Sequence, residues 1–137
     1  MIPVLAFLLL AASDIAAIKA EPDLERRSEI ALVSADKQID AVREALSSGD
    51  DKLEQQSLAD VGELVDVSYD ALQHSNKAPR KSKYYKSAEI KLRAMLRRLS
   101  SLRDEVGFEG RPAVDGVIKR VSDVHDEVLA AIMSKKK

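Results

Sequence analysis

The chain has 137 residues, enough for one packed domain and too few for two sizeable ones. Apolar residues make up 45% and charged residues 33%, a mixture that can bury a core and argues against a disordered chain. With no cysteine, disulfides, zinc–thiolate sites, covalently attached haem, lipid attachment to a thiol and thiol catalysis are all excluded.

The first residues differ from the rest. Residues 2–12, "IPVLAFLLLAA", form an apolar run of eleven, too short for a membrane-spanning helix, which needs roughly 20 residues. Asp14 blocks any extension, and the small-residue stretch "SDIAAIKA" follows. This is the pattern of a secretory leader. The expected division is a leader over residues 1–20, cut after Ala20, and a mature domain over residues 21–137. No Lys or Arg precedes the run, so the terminal amine alone supplies the usual positive charge.

Beyond residue 20, apolar side chains recur at three- and four-residue steps, the spacing that lines one face of a helix. The first helix is expected from an Asp23 cap to Gly49, with Leu24, Ser28, Ala31, Leu32, Ala35, Ile39, Val42 and Leu46 turned inward. Asp51 with Glu54 resembles a capping box that opens the second helix. Its inward row is Leu58, Val61, Leu64, Val65, Ser68, Ala71 and Leu72, and Asn76 and Pro79 end it.

The third helix is expected over residues 82–106, with the row Tyr85, Ala88, Leu92, Met95, Leu99, Leu102 and Val106. Gly107 and Gly110 break it. Pro112 suits the first turn of a fourth helix, where a missing N–H costs nothing. That helix carries Val114, Val117, Val121, Val124 and Val128, with Ile118, Leu129 and Ile132 beside them. Its many β-branched residues lower its intrinsic helicity, so burial has to hold it. The terminal "SKKK" reads as a solvated tail that complements the negative end of this helix.

Four rods of matched length joined by short connections predict an all-α fold, an up-down-up-down antiparallel four-helix bundle. A helical repeat is the rival, because residues 45–72 resemble one tetratricopeptide-like hairpin. The period does not recur in the second half, and stacked repeats need about three copies.

Little in the chain points to catalysis. Neither a Gly-x-Ser-x-Gly turn nor a Gly-rich phosphate loop is present. His74 lies at the end of the second helix, and His125 lies beside the fourth helix's inward row. No Glu-x-x-His pair supports a di-metal carboxylate bundle. A haem-carrying bundle would need Met95 opposite His125. The expectation is therefore a protein that is not an enzyme and has no cofactor. A cofactor- or metal-carrying bundle centred on His125 is the alternative.

The net charge of −1 conceals a strong segregation. Residues 21–75 carry fourteen acids and five bases, whereas residues 76–103 carry ten bases and one acid. On the third helix Lys83, Lys86, Arg93 and Arg97 align opposite the apolar row, with Ile90 among them, over about 21 Å. Arg80 and Lys81 extend this stripe into the preceding loop, together with Lys77. Glu89 can pair with Arg93 one turn away. Arg98 and Lys91 flank the core and can reach acids on a neighbouring helix, with Glu44, Glu63, Asp66 and Asp70 as candidates.

The stripe has two readings, a solvated face neutralised within the fold or a site for an anionic surface or a protein partner. Nucleic acid is not expected as a partner in an exported protein. Val67, Tyr69 and Ile90 are candidates for an exposed apolar patch, and the oligomeric state stays open.

The run "KYYKSAEIKLRAMLRRLSSLRDEV", with "VSDVHDEVL" after it, resembles a group of short secreted all-helical proteins of soil bacteria whose role is unassigned. The resemblance implies an exported helical domain and transfers no functional residue. The chain is accordingly expected in the periplasm or outside the cell, as a non-enzymatic binding protein of the envelope with no transmembrane anchor once its leader is gone.

Overall fold

A computed structural model describes residues 15–134, and every regular element among them is helical. Helix α1 spans Leu24–Ser48, α2 Asp51–His74, α3 Lys83–Glu105 and α4 Arg111–Met133; a 3-10 turn at Phe108–Gly110 precedes α4. A helical turn over residues 15–19 comes before α1. The apolar run 2–12 and the three terminal lysines lie outside the described residues.

Side chains and glycine geometry set the helix ends. Asp23 caps α1 by accepting from the Arg26 N–H at 3.2 Å. Gly49 closes α1 in the left-handed region, at φ 73°. There the Asp50 N–H reaches the Ala45 carbonyl at 2.9 Å and the Gly49 N–H reaches Leu46 at 3.3 Å, a Schellman pairing. The α2 cap falls one residue before the expected Asp51. Asp50 keeps a non-helical backbone and accepts from the Leu53 N–H at 3.1 Å, which leaves Asp51 as the first helical residue. Ser82 caps α3 by accepting from the Tyr84 and Tyr85 N–H groups, and Pro112 occupies the first turn of α4.

The helices pack together on one aliphatic core. Helix α1 packs on α2 and on α3, and α4 packs on α3 and on α2. The hydroxyls of Ser28, near the start of α1, and Ser68, near the end of α2, lie 2.8 Å apart, so these two helices run in opposite directions. Arg103 pairs with Asp115, and Glu89 with His125, so the contacts between α3 and α4 run in opposite order along the two helices. Between α1 and α3 the contacts ascend together, from Glu25 with Ser82 to Arg43 with Glu105.

Consecutive helices α2 and α3 are not side by side, although short connections favour antiparallel neighbours. Residues 75–82 separate them, against two residues between α1 and α2, and that span suffices to cross the end of the fold. The Tyr85 hydroxyl ties the crossing down by donating to the Leu72 carbonyl at 3.3 Å.

The α3 row is buried as its spacing requires, from Tyr85 through Leu102, with Val106 at 3% exposure. Helix α1 buries more than its expected row, adding Gln38, Ala41 and Ala45, while Leu46 is only half-buried. Asp60 is buried on α2 and accepts from Gln56 at 3.0 Å; burial pushes its carboxyl above the ordinary range. On α4, Val114, Val121, Val124 and Val128 are buried, but Val117 and Ile118 are half-buried and Leu129 is exposed. Of the candidate apolar patch, Val67 and Tyr69 are half-buried and pack against the core, and Ile90 is exposed.

Two substitutions separate core packing from helix propensity. Leu99 has no exposed surface, and Leu99→Ala is expected to cost about 2–5 kcal/mol from lost burial and the cavity left behind. Gly116 lies inside α4 with open space where a Cβ would stand. Gly116→Ala is expected to stabilise by about 0.5–1 kcal/mol. Urea denaturation measures both, and opposite signs at the two positions are the expected result.

Candidate functional site

The rotation of α3 follows from its buried row, and that rotation decides which side chains meet water. Lys83, Lys86, Ile90, Arg93 and Arg97 are all exposed, and Ile90 stands at 57%. Arg80 and Lys81 are exposed in the loop before the helix. Lys83 Nζ lies 5.2 Å from the centroid of the Tyr84 ring, a cation–π contact beside the stripe. All six expected cations are thus exposed.

Their pairing is uneven. Arg93 is held by Glu89 at 2.9 Å, the expected contact one turn away. Among the described residues, Lys83, Lys86, Arg97, Arg80 and Lys81 make no ion pair. The basic segment is neutralised instead through the arginines beside the core. Arg98 bonds Asp36 at 2.5 Å and also Asp40, and its guanidinium donates to the Asp36 carbonyl at 3.1 Å. Arg103 bonds Asp115. These acids hold both guanidinium groups firmly protonated: burial works against the charge of Arg98, and Asp36 and Asp40 outweigh it, while for Arg103 the Asp115 bond leads.

The acids foreseen as partners lie elsewhere. Asp66 pairs with Arg120, Glu63 with Lys19 and Asp70 with His74. Lys91 makes no ion pair among the described residues. Spacing on one helix shows that Arg98 flanks the core, but it does not say which neighbour comes beside it. That neighbour is α1, and its outward acids Asp36 and Asp40 stand one turn apart.

A second polar cluster ties α3 to α4. His125 Nε2 lies 2.8 Å from Glu89 Oε2, and its Nδ1 lies 3.4 Å from Asp126 Oδ1. The His125 and Glu89 side chains are only 13% and 14% exposed. Glu89 therefore holds Arg93 with one oxygen and His125 with the other. Nearby, the Tyr69 hydroxyl donates to Glu127 at 3.3 Å, from α2 to α4. Sequence reading paired Glu89 with Arg93 alone. The signal for His125 was its place at the margin of the α4 row, which an antiparallel α3 brings opposite Glu89.

Both nitrogens of His125 thus face carboxylate oxygens. Among the described residues no group of three or more His, Asp or Glu side chains is placed to hold a metal ion. None of the described helices is long and apolar enough to cross a membrane. No family model matches the chain, and no curated protein or solved structure is significantly similar to it.

The Glu89 cluster has a measurable acid signature. The hydrogen bond from His125 draws the Glu89 carboxyl below its ordinary value; burial pushes the other way, and Arg93 adds to the lowering. A carboxyl whose folded value lies below its unfolded value stabilises the fold above about pH 4.3, and that contribution is lost as pH falls through the folded value. Glu89→Gln is expected to cost on the order of 1 kcal/mol near pH 6. The gap from the wild type narrows as pH falls below about 4. Urea denaturation over a pH series checks this, and a gap that is flat with pH would remove the assigned role.

Proposed function

We propose that the chain is an exported, non-enzymatic binding protein of the cell envelope that engages an anionic surface through the exposed basic face of α3. The observation that carries this reading is the division of labour among the cations of α3. The arginines beside the core are matched by acids of neighbouring helices, whereas five of the six stripe and loop cations are left to solvent. Cations that served only to balance the acidic first half would sit where those acids are.

The finer architecture belongs to the same proposal. We read the four long helices as an up-down-up-down antiparallel bundle, with α1 beside α3 and α2 beside α4. The chain senses at Ser28–Ser68 and Glu89–His125 support that reading. In such a frame α3 offers two pairs of cations, Lys83 with Lys86 and Arg93 with Arg97, on either side of Ile90, which suits an extended surface of negative charge.

Export supports the choice of ligand. A chain carried out of the cytoplasm by its apolar N-terminal run meets anionic lipid headgroups and acidic envelope polymers rather than nucleic acid. Each cation held near such a surface contributes on the order of 1 kcal/mol, so several have to act together. Ile90, exposed among them, adds an apolar contact at the centre of the stripe.

The triple variant Lys83→Glu, Lys86→Glu and Arg97→Glu spares Arg93 and its Glu89 contact. Three reversed cations remove about 3 kcal/mol, roughly a hundredfold in affinity. Co-sedimentation with vesicles containing anionic lipid reads this directly. Wild-type retention is expected to fall steeply with added salt, and the variant is expected to lose retention with an unchanged melting temperature. Equal retention of the two proteins would end the proposal.

A further inference from the structure

Glu89 divides its two oxygens between partners of unequal accessibility. Arg93 Nη2 donates to Oε1 at 2.9 Å, and His125 Nε2 lies 2.8 Å from Oε2. The Arg93 side chain is 56% exposed, whereas those of Glu89 and His125 are largely buried between α3 and α4. The arginine can therefore leave for another anion, while the imidazole is fixed in place.

The charges that face His125 come from both helices. Glu89 reaches it from α3, and Asp126, beside it on α4, lies 3.4 Å from Nδ1. On α3, Lys86 and Arg93 stand about one turn before and one turn after Glu89. From α2, Tyr69 bonds Glu127 and Asp66 pairs with Arg120, and neither of them bonds the imidazole.

A proton on His125 changes the balance of charge without needing new contacts. A neutral imidazole donates at one nitrogen, whereas an imidazolium donates at both, and both nitrogens here face carboxylate oxygens. Glu89 stays ionised near neutral pH: the His125 hydrogen bond holds its carboxyl below the ordinary range, burial opposes this, and Arg93 adds to the lowering. With His125 neutral, Arg93 balances Glu89 and adds no net charge to the stripe. With His125 protonated, the ring supplies that balance through the bond it already makes. Arg93 then becomes surplus charge on the exposed face.

We propose that His125 controls the anion affinity of the basic face: once protonated, the imidazole neutralises Glu89, and Arg93 joins Lys83, Lys86 and Arg97 as a cation available to an anionic surface. The face then binds more tightly in mild acid than at neutral pH. This regulation rests on the anion-binding role proposed for α3. The second histidine, His74, pairs with Asp70 on α2 and serves as an internal control.

The full-length protein is co-sedimented with vesicles of equal parts phosphatidylglycerol and phosphatidylcholine at about pH 7.5 and about pH 5.5, on either side of the ordinary histidine range. Salt at about 0.1 M screens charges more than about 10 Å from the lipid, so direct contacts dominate. The wild type is expected to gain about fivefold in affinity at the lower pH, one cation's contribution. His125→Gln and Arg93→Gln, which both keep His74, are each expected to lose that gain. Arg93 is exposed, so Arg93→Gln tests the exchange even where His125→Gln weakens the contact of α3 with α4. Equal wild-type affinity at the two pH values, or a gain that survives in either variant, overturns the switch and leaves the anion-binding role standing. Absence of wild-type retention at both pH values, in low salt as well, overturns that role and the switch with it.

Discussion

The angular position of α3 about its own axis governs most of what this molecule presents to its surroundings. Six of its side chains, Tyr85, Ala88, Leu92, Met95, Leu99 and Leu102, are buried along one line of the helix. At 1.5–3 kcal/mol for each fully buried large aliphatic side chain, as a rough scale, no surface contact competes with that line for control of the rotation. A helix advances about 100° per residue, so Lys83, Lys86, Ile90, Arg93 and Arg97 are carried to the far side. Their exposure is a consequence of the core and needs no separate cause.

Electrostatics then chooses the neighbours. Aliphatic seams are non-directional and would tolerate more than one arrangement of four amphipathic rods. The arginines at the edges of the seams are directional. Arg98 joins α3 to α1 through Asp36 and Asp40, Arg103 joins α3 to α4 through Asp115, and Arg120 joins α4 to α2 through Asp66. Exposed ion pairs are individually worth little. Charges of one sign on the acidic first half and of the other on α3 nevertheless penalise arrangements that leave α3 away from α1. The side-by-side pairing of α1 with α3, despite the α2 between them in sequence, is the outcome that lets Arg98 reach two acids.

This division also explains what could be read from sequence and what could not. The α3 row was legible throughout, because one helix with a clean three-four period and polar residues elsewhere has a single way to bury itself. Boundaries were legible where a side chain or a glycine forces them, as at Asp23, Gly49, Ser82 and Pro112. The α2 cap was misplaced by one residue because two aspartates stand together, and only backbone geometry separates Asp50 from Asp51. Contacts between helices were the illegible part. Periodicity gives the face of a helix, but it does not give the helix opposite. Arg98 with Asp36 and Asp40, and Glu89 with His125, depend on neighbours that no local pattern names. The burial of Ile18 was hidden for another reason. An apolar stretch beside a leader-like run reads as part of that run, and its place in the core appears only in three dimensions.

Core and candidate site share α3 but occupy opposite faces, and this makes them separable. Lys83, Lys86 and Arg97 touch no acid among the described residues, so changing their charge alters the field around the protein and little of its packing. Arg93 is the exception. It shares Glu89 with His125, and Glu89, like Arg103 with Asp115, bridges α3 to α4. An anion that draws Arg93 outward therefore competes with Glu89 for it, and leaves the His125 contact to carry that bridge. The rest of the stripe has no such connection to the interior. Among the stripe cations, Arg93 is therefore the one whose displacement by an anion reaches an inter-helix contact, through the two oxygens of this carboxylate.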